Sequence, residues 1–223
     1  MKITPWYLVI TALFITCLLT ANIIAGKIAD FGGQFLPAAV IVFPLSYIFG
    51  DVLTEVYGFR QARLTIWLGF LSNLIMVAFF WLGGLLPAAP FWSGQPAYDT
   101  ILGVTPRILG ASFAAYLVGE FANSVVLARM KVATRGRWLW TRTIGSTVVG
   151  EGLDSLVFIT LAFAGTPAGA NLFDLIWRQW LFKTVYEVVA TPVTYAVVTF
   201  LKRAEGIDVY DTHTVFNPLP SLQ

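Results

Sequence analysis

Asp51 and Glu55 stand four residues apart in the stretch FGDVLTEVYG. Lys183 and Glu187 repeat that spacing, while Glu120 and Asn123, and Glu151 and Asp154, are each three apart. Spacings of three and four put both members of a pair on one face of a helix. Each pair lies in, or at the end of, an apolar run long enough to cross a bilayer, where an acidic side chain costs on the order of 2.5–3.5 kcal/mol on insertion scales. Carboxylates and amide oxygens accept hydrogen bonds, so several of them in one place call for a cation or a ligand rich in N–H groups. A carboxylate takes two parallel N–H bonds from a planar edge, as it does from a guanidinium; a guanine-like base offers such an edge through N1 and its exocyclic amine. Asn22, toward the end of the first run, and Asn73, within the third, add further amides. Phe43, Tyr47, Phe113, Tyr116, Phe121 and Tyr186 are aromatic groups that can stack on a flat ring, although packing is the commoner use of each.

Charge balance makes the pattern functional rather than decorative. Glu120, Glu151 and Glu187 fall well inside their runs, and Lys183 is the one basic residue at comparable depth. One lysine does not satisfy them all, so the remainder carry protons, face water or meet a ligand. A solvated central cavity answers this at least cost, and it is where ionisable groups inside membranes normally occur. Three short segments, GDVLTE (50–55), GEFANS (119–124) and GEGLDS (150–155), share a glycine, an acid, two further residues and two polar groups. A glycine before the acid permits close helix approach. The ridge Ala111, Ala115 and Gly119 leads to Glu120 and Asn123 in the same manner.

The elements that must position these groups are set by composition. Of 223 residues, 57% are hydrophobic and 12% charged, about half the charge of a typical soluble domain. Six runs, about 6–26, 35–57, 64–86, 107–129, 143–164 and 176–201, are each near the ~20 residues that a ~30 Å hydrocarbon core requires. The chain reads as an all-α integral membrane protein, a single transmembrane domain over 1–223. The runs are continuous, which excludes the alternation of a transmembrane barrel, and the first is too long and lacks the cleavage site of a signal peptide. Pro44 in the second run and Pro192 in the sixth predict kinks. The longest connection, 87–106, holds Pro87, Pro90, Pro96 and Pro106, and nothing in it suggests a separate soluble domain.

Basic residues set the orientation. Lys2, Arg60, Arg63, Arg129, Lys131, Arg135, Arg137, Arg142, Lys202 and Arg203 fall on one side of six spans, against Lys27, Arg107 and Arg178 on the other. The positive-inside rule puts both termini in the cytoplasm of a bacterial inner membrane, with tryptophans near span ends as an aromatic belt. The basic stretch 129–142 is read as a topology determinant near anionic lipid, not a nucleic-acid patch. A net charge of +2 and a lone Cys17 give no reason to expect nucleic acid, a disulfide or a cysteine metal cluster. No cofactor or metal is expected. The only histidine, His213, lies in the tail and no His-Glu-x-x-His site exists, so an intramembrane enzyme is disfavoured. No G-x-x-x-x-G-K-[ST] loop occurs, so any use of ATP falls to another chain. Buried acids suit proton relays equally well, which keeps open a proton- or cation-coupled carrier for some other solute. A homodimer suits so small a carrier, but no heptad or GxxxG pattern inside a span demands it.

The segments FPLSYIFGDVLTEVYGFRQAR (43–63), GEFANSVVLARMK (119–131), TIGSTVVGEGLDSLVF (143–158) and KTVYEVVATP (183–192) resemble the queuosine precursor transporter family of bacterial inner-membrane proteins. The resemblance extends from ANIIAGKI (21–28) to DVYD (208–211). It implies uptake of 7-cyano-7-deazaguanine or 7-aminomethyl-7-deazaguanine, salvaged for the tRNA base queuosine. It also implies six helices arranged like the substrate-binding subunits of energy-coupling-factor vitamin transporters. On that reading Glu120, Glu151 or Glu187 takes the guanine-like edge. Asn22, Asn123 and Asp154 take the ring carbonyl, the pyrrole N–H or the 7-substituent, with Phe43 and Tyr47 beside the ring. Asp51 and Glu55, nearest the cytoplasm, line the exit or form a gate pair with Arg60 or Lys183.

Overall fold

The first helix begins where its sequence says it must. Thr4 caps it, accepting a hydrogen bond from the Tyr7 amide at 3.2 Å, and Pro5 occupies the first turn, where a missing N–H costs nothing. In this computed structural model, which describes residues 4–25, 27–31, 35–103, 106–165 and 171–219, α1 runs Pro5–Ile24 and a two-stranded hairpin comes next. Its strands, β1 (Ile28–Asp30) and β2 (Phe35–Pro37), pair antiparallel with Ala29 opposite Leu36. A 3-10 turn, Ala38–Ile41, leads into α2 (Phe43–Tyr57). Then come α3 (Phe59–Leu85), the short α4 (Gln95–Leu102), α5 (Pro106–Ala133), α6 (Leu139–Phe163) and α7 (Leu172–Glu205). Six of these segments are long and apolar enough to cross a membrane.

One local expectation is corrected. The second run does not kink in its middle at Pro44: its first residues are strand and 3-10 turn, and Pro44 sits in the first turn of α2, a position proline tolerates. The connection after α3 contains α4, which has Pro96 in its first turn and docks by a Tyr98 hydroxyl bond to the Phe80 carbonyl at 2.8 Å. Pro192, for its part, lies inside a helix that continues across it.

The short α2 is the centre of the bundle. It packs on α1, α3, α5 and α7, and apart from Phe49 every residue from Ser46 to Phe59 is buried. Its side toward α1 and α3 is apolar: Phe14, Leu18, Val52, Val56, Phe59 and Ile66 belong to one core. The opposite face of the bundle is lipid-directed, with Leu71, Ile75 and Phe79 on α3 and Val185, Val189 and Val193 on α7 exposed, as apolar residues facing hydrocarbon should be. Most tryptophans lie exposed near helix ends. Trp180 is an exception, donating to the Val148 carbonyl at 3.0 Å.

The most extensive pairing is between α5 and α6, which cross at Gly119 and Gly150. A Cβ on Gly150 would lie 2.6 Å from Cβ of Asn123 and 2.9 Å from the Gly119 carbonyl oxygen. Backbones in lipid gain from such close approach because van der Waals contact replaces the hydrophobic drive. Gly150→Ala is therefore expected to cost about 1–3 kcal/mol, or roughly 2–10 °C in the unfolding temperature. Gly110→Ala, with nothing within 4 Å of the added carbon, should leave it unchanged or slightly raised. Thermal unfolding of the two variants in one detergent decides the matter.

Candidate functional site

A cavity of about 170 Å³ opens among the end of α1, the start of α2, the middle of α3, the first halves of α5 and α7, and the second half of α6. Asn22, Phe43, Asn73, Tyr116, Asp154, Phe158, Gln179 and Lys183 give it its chemical character. It thus lies at the end of the bundle that carries the 28–37 hairpin, remote from the basic cluster around the α5–α6 connection. The Lys183 ammonium is held by two carboxylates of α6, 2.5 Å from Asp154 Oδ2 and 2.8 Å from Glu151 Oε2, and stands 4.3 Å from the centre of the Phe43 ring. The spacing of three that joins Glu151 to Asp154 on one helix face is what lets one lysine reach both.

One or two turns deeper on the same helices the interior stays polar. Tyr47 and Asp51 follow Phe43 on α2, Glu120 and Asn123 follow Tyr116 on α5, and Glu187 follows Lys183 on α7. Asn123 donates to Asp51 Oδ1 at 2.7 Å. Both oxygens of Glu120 and of Glu187, Asp51 Oδ2, Asn123 Oδ1 and the Tyr47 hydroxyl are buried with no hydrogen-bond partner among the described residues. Asp51 lies within electrostatic reach of Glu187 and Glu120, and Glu120 within reach of Glu151, Asp154 and Lys183. Glycines make the crowding possible: Glu120 Oε2 would lie 3.1 Å from a Cβ at Gly50, and the Tyr47 hydroxyl 2.7 Å from one at Gly119. Five carboxylates (Asp51, Glu120, Glu151, Asp154 and Glu187) thus share one ammonium. Burying a lone ionised carboxylate is prohibitive, so this interior has the chemistry to accept protons or a donor-rich ligand.

Glu55 does not join them. Its two oxygens take Arg142 as a fork, 2.7 Å from Nε to Oε2 and 2.7 Å from Nη2 to Oε1, and Oε1 also meets Lys202 at 2.6 Å. Lys131 stands 3.6 Å away and donates to the Glu55 carbonyl, to Asp208 and to the carbonyl of Val209. Asp208 in turn meets Lys202 at 2.8 Å. The C-terminal tail is drawn into this knot. The Val209 amide bonds the Val56 carbonyl, Asp211 accepts from the Phe59 amide at 3.0 Å, and Arg63 and Trp67 bond the carbonyls of Asn217 and Pro218. Gly58 allows the tail to pass, with φ of 81° and the Val209 side chain where its own Cβ would project. Burial raises the Asp208 carboxyl, but hydrogen bonds from Lys131 and Lys202, with their charges, outweigh it and hold it below its ordinary 3.8. Its hold on the two lysines is therefore complete above that pH and fades as pH falls through the lowered value.

Of the residues singled out in the sequence, Asn22, Phe43, Asp154 and Lys183 line the cavity. Tyr47, Asp51, Glu120, Asn123, Glu151 and Glu187 lie buried beside or beneath it. The partners of Glu55 are Arg142, Lys131 and Lys202, where the sequence pointed to Arg60 or Lys183. Phe113 packs against Phe70, and Phe121 against Phe59 and Trp67, and neither lines the cavity. Sequence reasoning left Asn73 without a role and passed over Phe158 and Gln179. It also took Lys131, Arg142 and Lys202 for topology signals alone. Each falls just outside the span read from the sequence, and only the longer helices bring it inside a helix end.

The family model described as "Putative vitamin uptake transporter" matches residues 37–197, which hold these polar groups except Asn22, Lys202, Asp208 and Asp211. The chain belongs to this transporter family. It is a transporter and not an enzyme, a multi-pass protein of the bacterial inner membrane. Among curated proteins it is similar to the "Probable queuosine precursor transporter" of Bacillus subtilis (strain 168), 29% identical over 188 residues, covering 83% of this chain and 81% of the relative. The "Queuosine precursor transporter" of Escherichia coli (strain K12) is 24% identical over 163 residues, covering 70% and 69%. A further relative from Haemophilus influenzae, "Probable queuosine precursor transporter", is 27% identical over 161 residues, covering 71% and 66%. No solved structure matches the chain.

The two charge clusters of this transporter differ in how they respond to truncation. Glu55→Ala strands Arg142 and Lys131, each 1% exposed, and should cost on the order of 3–5 kcal/mol, as removal of one partner from a buried ion pair does. Glu187→Ala removes an acid with no such partner and should cost less. Unfolding midpoints of the two variants, measured together, test the contrast.

Proposed function

We propose that the chain imports queuosine precursors, 7-cyano-7-deazaguanine and 7-aminomethyl-7-deazaguanine, holding the base in the cavity and its acidic floor. The similarity to proteins named queuosine precursor transporters carries this reading, and the chemistry of the floor supports it. A deazaguanine brings an N1–H and an exocyclic amine on one planar edge, the group that a carboxylate with two free oxygens grips in parallel. Glu120 has both oxygens unpartnered and sits one turn beyond Tyr116; Glu151 and Glu187 flank it. Phe43 and Phe158 supply ring faces in the cavity wall. Lys183, anchored on Asp154 and Glu151, points its remaining donor capacity toward a ring carbonyl. The aminomethyl form adds a cation, which an interior with surplus carboxylates welcomes. A cavity of about 170 Å³ is small beside the roughly 300–1,000 Å³ of drug-sized sites, which favours the free base over a nucleoside.

In this reading the cavity faces the outside and the Glu55 knot closes the cytoplasmic end, consistent with the bias of basic residues to that end. The acids at intermediate depth mark the path between them, and release of the base to the cytoplasm requires the knot and the tail to part. Uptake of labelled precursor by a strain unable to synthesise it tests the function. Glu120→Gln and Glu151→Gln, compared with wild type at equal expression, are expected to lower uptake tenfold or more; wild-type rates in both would remove them from the site. The gate is tested by Asp208→Asn combined with Lys202→Met. Amide exchange at Val209 and Phe59 should accelerate while precursor affinity stays within about twofold. Unchanged exchange would take the tail out of the gate.

A further inference from the structure

We infer that Asn73 is the acceptor for the pyrrole N–H of the bound base, and so a specificity-determining residue; this rests on the base-binding reading above. Asn73 is 3% exposed, its Oδ1 has no hydrogen-bond partner among the described residues, and it lines the cavity. On α3 it is out of place. That helix otherwise turns leucine, isoleucine and phenylalanine side chains toward lipid, and a buried amide left unsatisfied there costs free energy that no neighbouring helix returns. Two neighbouring polar groups on this side of the cavity already spend their donors on backbone carbonyls. The Asn22 amide donates to the Leu18 carbonyl at 3.0 Å, and the Tyr116 hydroxyl to the Ile66 carbonyl at 2.9 Å.

The helix is also fixed at this point. Gly69, one turn before Asn73, brings α3 so near that a Cβ there would meet the Tyr116 hydroxyl at 2.7 Å and Phe14 at 3.0 Å. Asn73 is thus presented from a locked backbone, as a recognition group should be. The donor inventory of the ligand completes the assignment. α3 packs on α1, α2 and α5, whereas α6, with its carboxylates, packs on α5 and α7. Asn73 and Asp154 therefore lie on different walls. The two-donor edge of a deazaguanine matches a carboxylate. Its one remaining ring donor, the pyrrole N–H on the other ring, matches a single amide oxygen.

The test uses purified full-length protein in detergent and two ligands: 7-cyano-7-deazaguanine and its furan isostere, in which a ring oxygen replaces the pyrrole N–H. Wild type is expected to bind the parent about 10–100-fold more tightly than the isostere, the worth of one buried hydrogen bond. Asn73→Leu should bind the parent about 10–100-fold more weakly than wild type does, and the two ligands within about twofold of each other. Asn73→Asp, which retains an acceptor of the same size, should keep the preference for the N–H ligand. The assignment is overturned if wild type does not distinguish the ligands, if Asn73→Leu binds the parent like wild type or keeps the full preference, or if Asn73→Asp loses it. Folded wild-type protein that binds neither ligand overturns the base-binding reading itself, and this inference with it. Tight parent binding that ignores position 73 overturns this inference alone.

Discussion

Hydrocarbon offers a carboxylate nothing, and every part of this bundle's interior is a response to that. Two answers are visible in one molecule. Glu55 is answered by protein: a guanidinium fork, two ammonium groups and a carboxylate of the tail close around it, leaving the acid fully buried and fully bonded. Glu120 and Glu187, at greater depth, are answered by nothing the described residues provide. The first arrangement holds a structure shut. The second leaves a demand for hydrogen-bond donors next to a cavity, and the physical penalty of that demand is the reason to look for a ligand there.

The range of each interaction decides how much of it the sequence discloses. Six apolar runs at membrane length depend only on local composition, and five of them map onto long helices within about five residues, while the second gives up its first part to strand and turn. Glycines ahead of the acids were readable for the same reason: Gly50, Gly119 and Gly150 do mark the places where helices touch. The fate of each acid was not readable, because pairing is decided between helices. Asp51 and Glu55 share a face of α2, yet a single turn separates an acid bonded to an asparagine of α5 from one enclosed by three cations of α5, α6 and α7. Lys131 and Arg142 looked like residues for the headgroup region, and only the fold reveals that they are 1% exposed. Pro44 misled because the same ring that kinks a helix interior is welcome in its first turn.

The crossing of α5 and α6 ties packing to chemistry. Gly119 and Gly150 each precede an acid in the chain, so the residue that brings the two backbones together also places Glu120 and Glu151 on either side of the seam. Asn123 and Asp154 come one turn later, each on the face its acid shares. Close approach thus concentrates like charges, and Lys183 enters from α7 to relieve part of the repulsion. Local packing preference and electrostatic need pull in opposite directions here, a conflict that natural sequences tend to retain at working sites.

Helix α7 has 34 residues, about 51 Å at 1.5 Å per residue, well beyond the thickness of the hydrocarbon. Lys183 and Lys202 ride on this one rod, about 28 Å apart by the same rise, one gripping α6 at the cavity and the other gripping Glu55. Between them stands Pro192, where the ladder of backbone bonds lacks a rung. The rod is therefore stiff over both anchor points and softest between them. Both anchors thus sit on one continuous helix, and Pro192 is the place between them where it bends most easily.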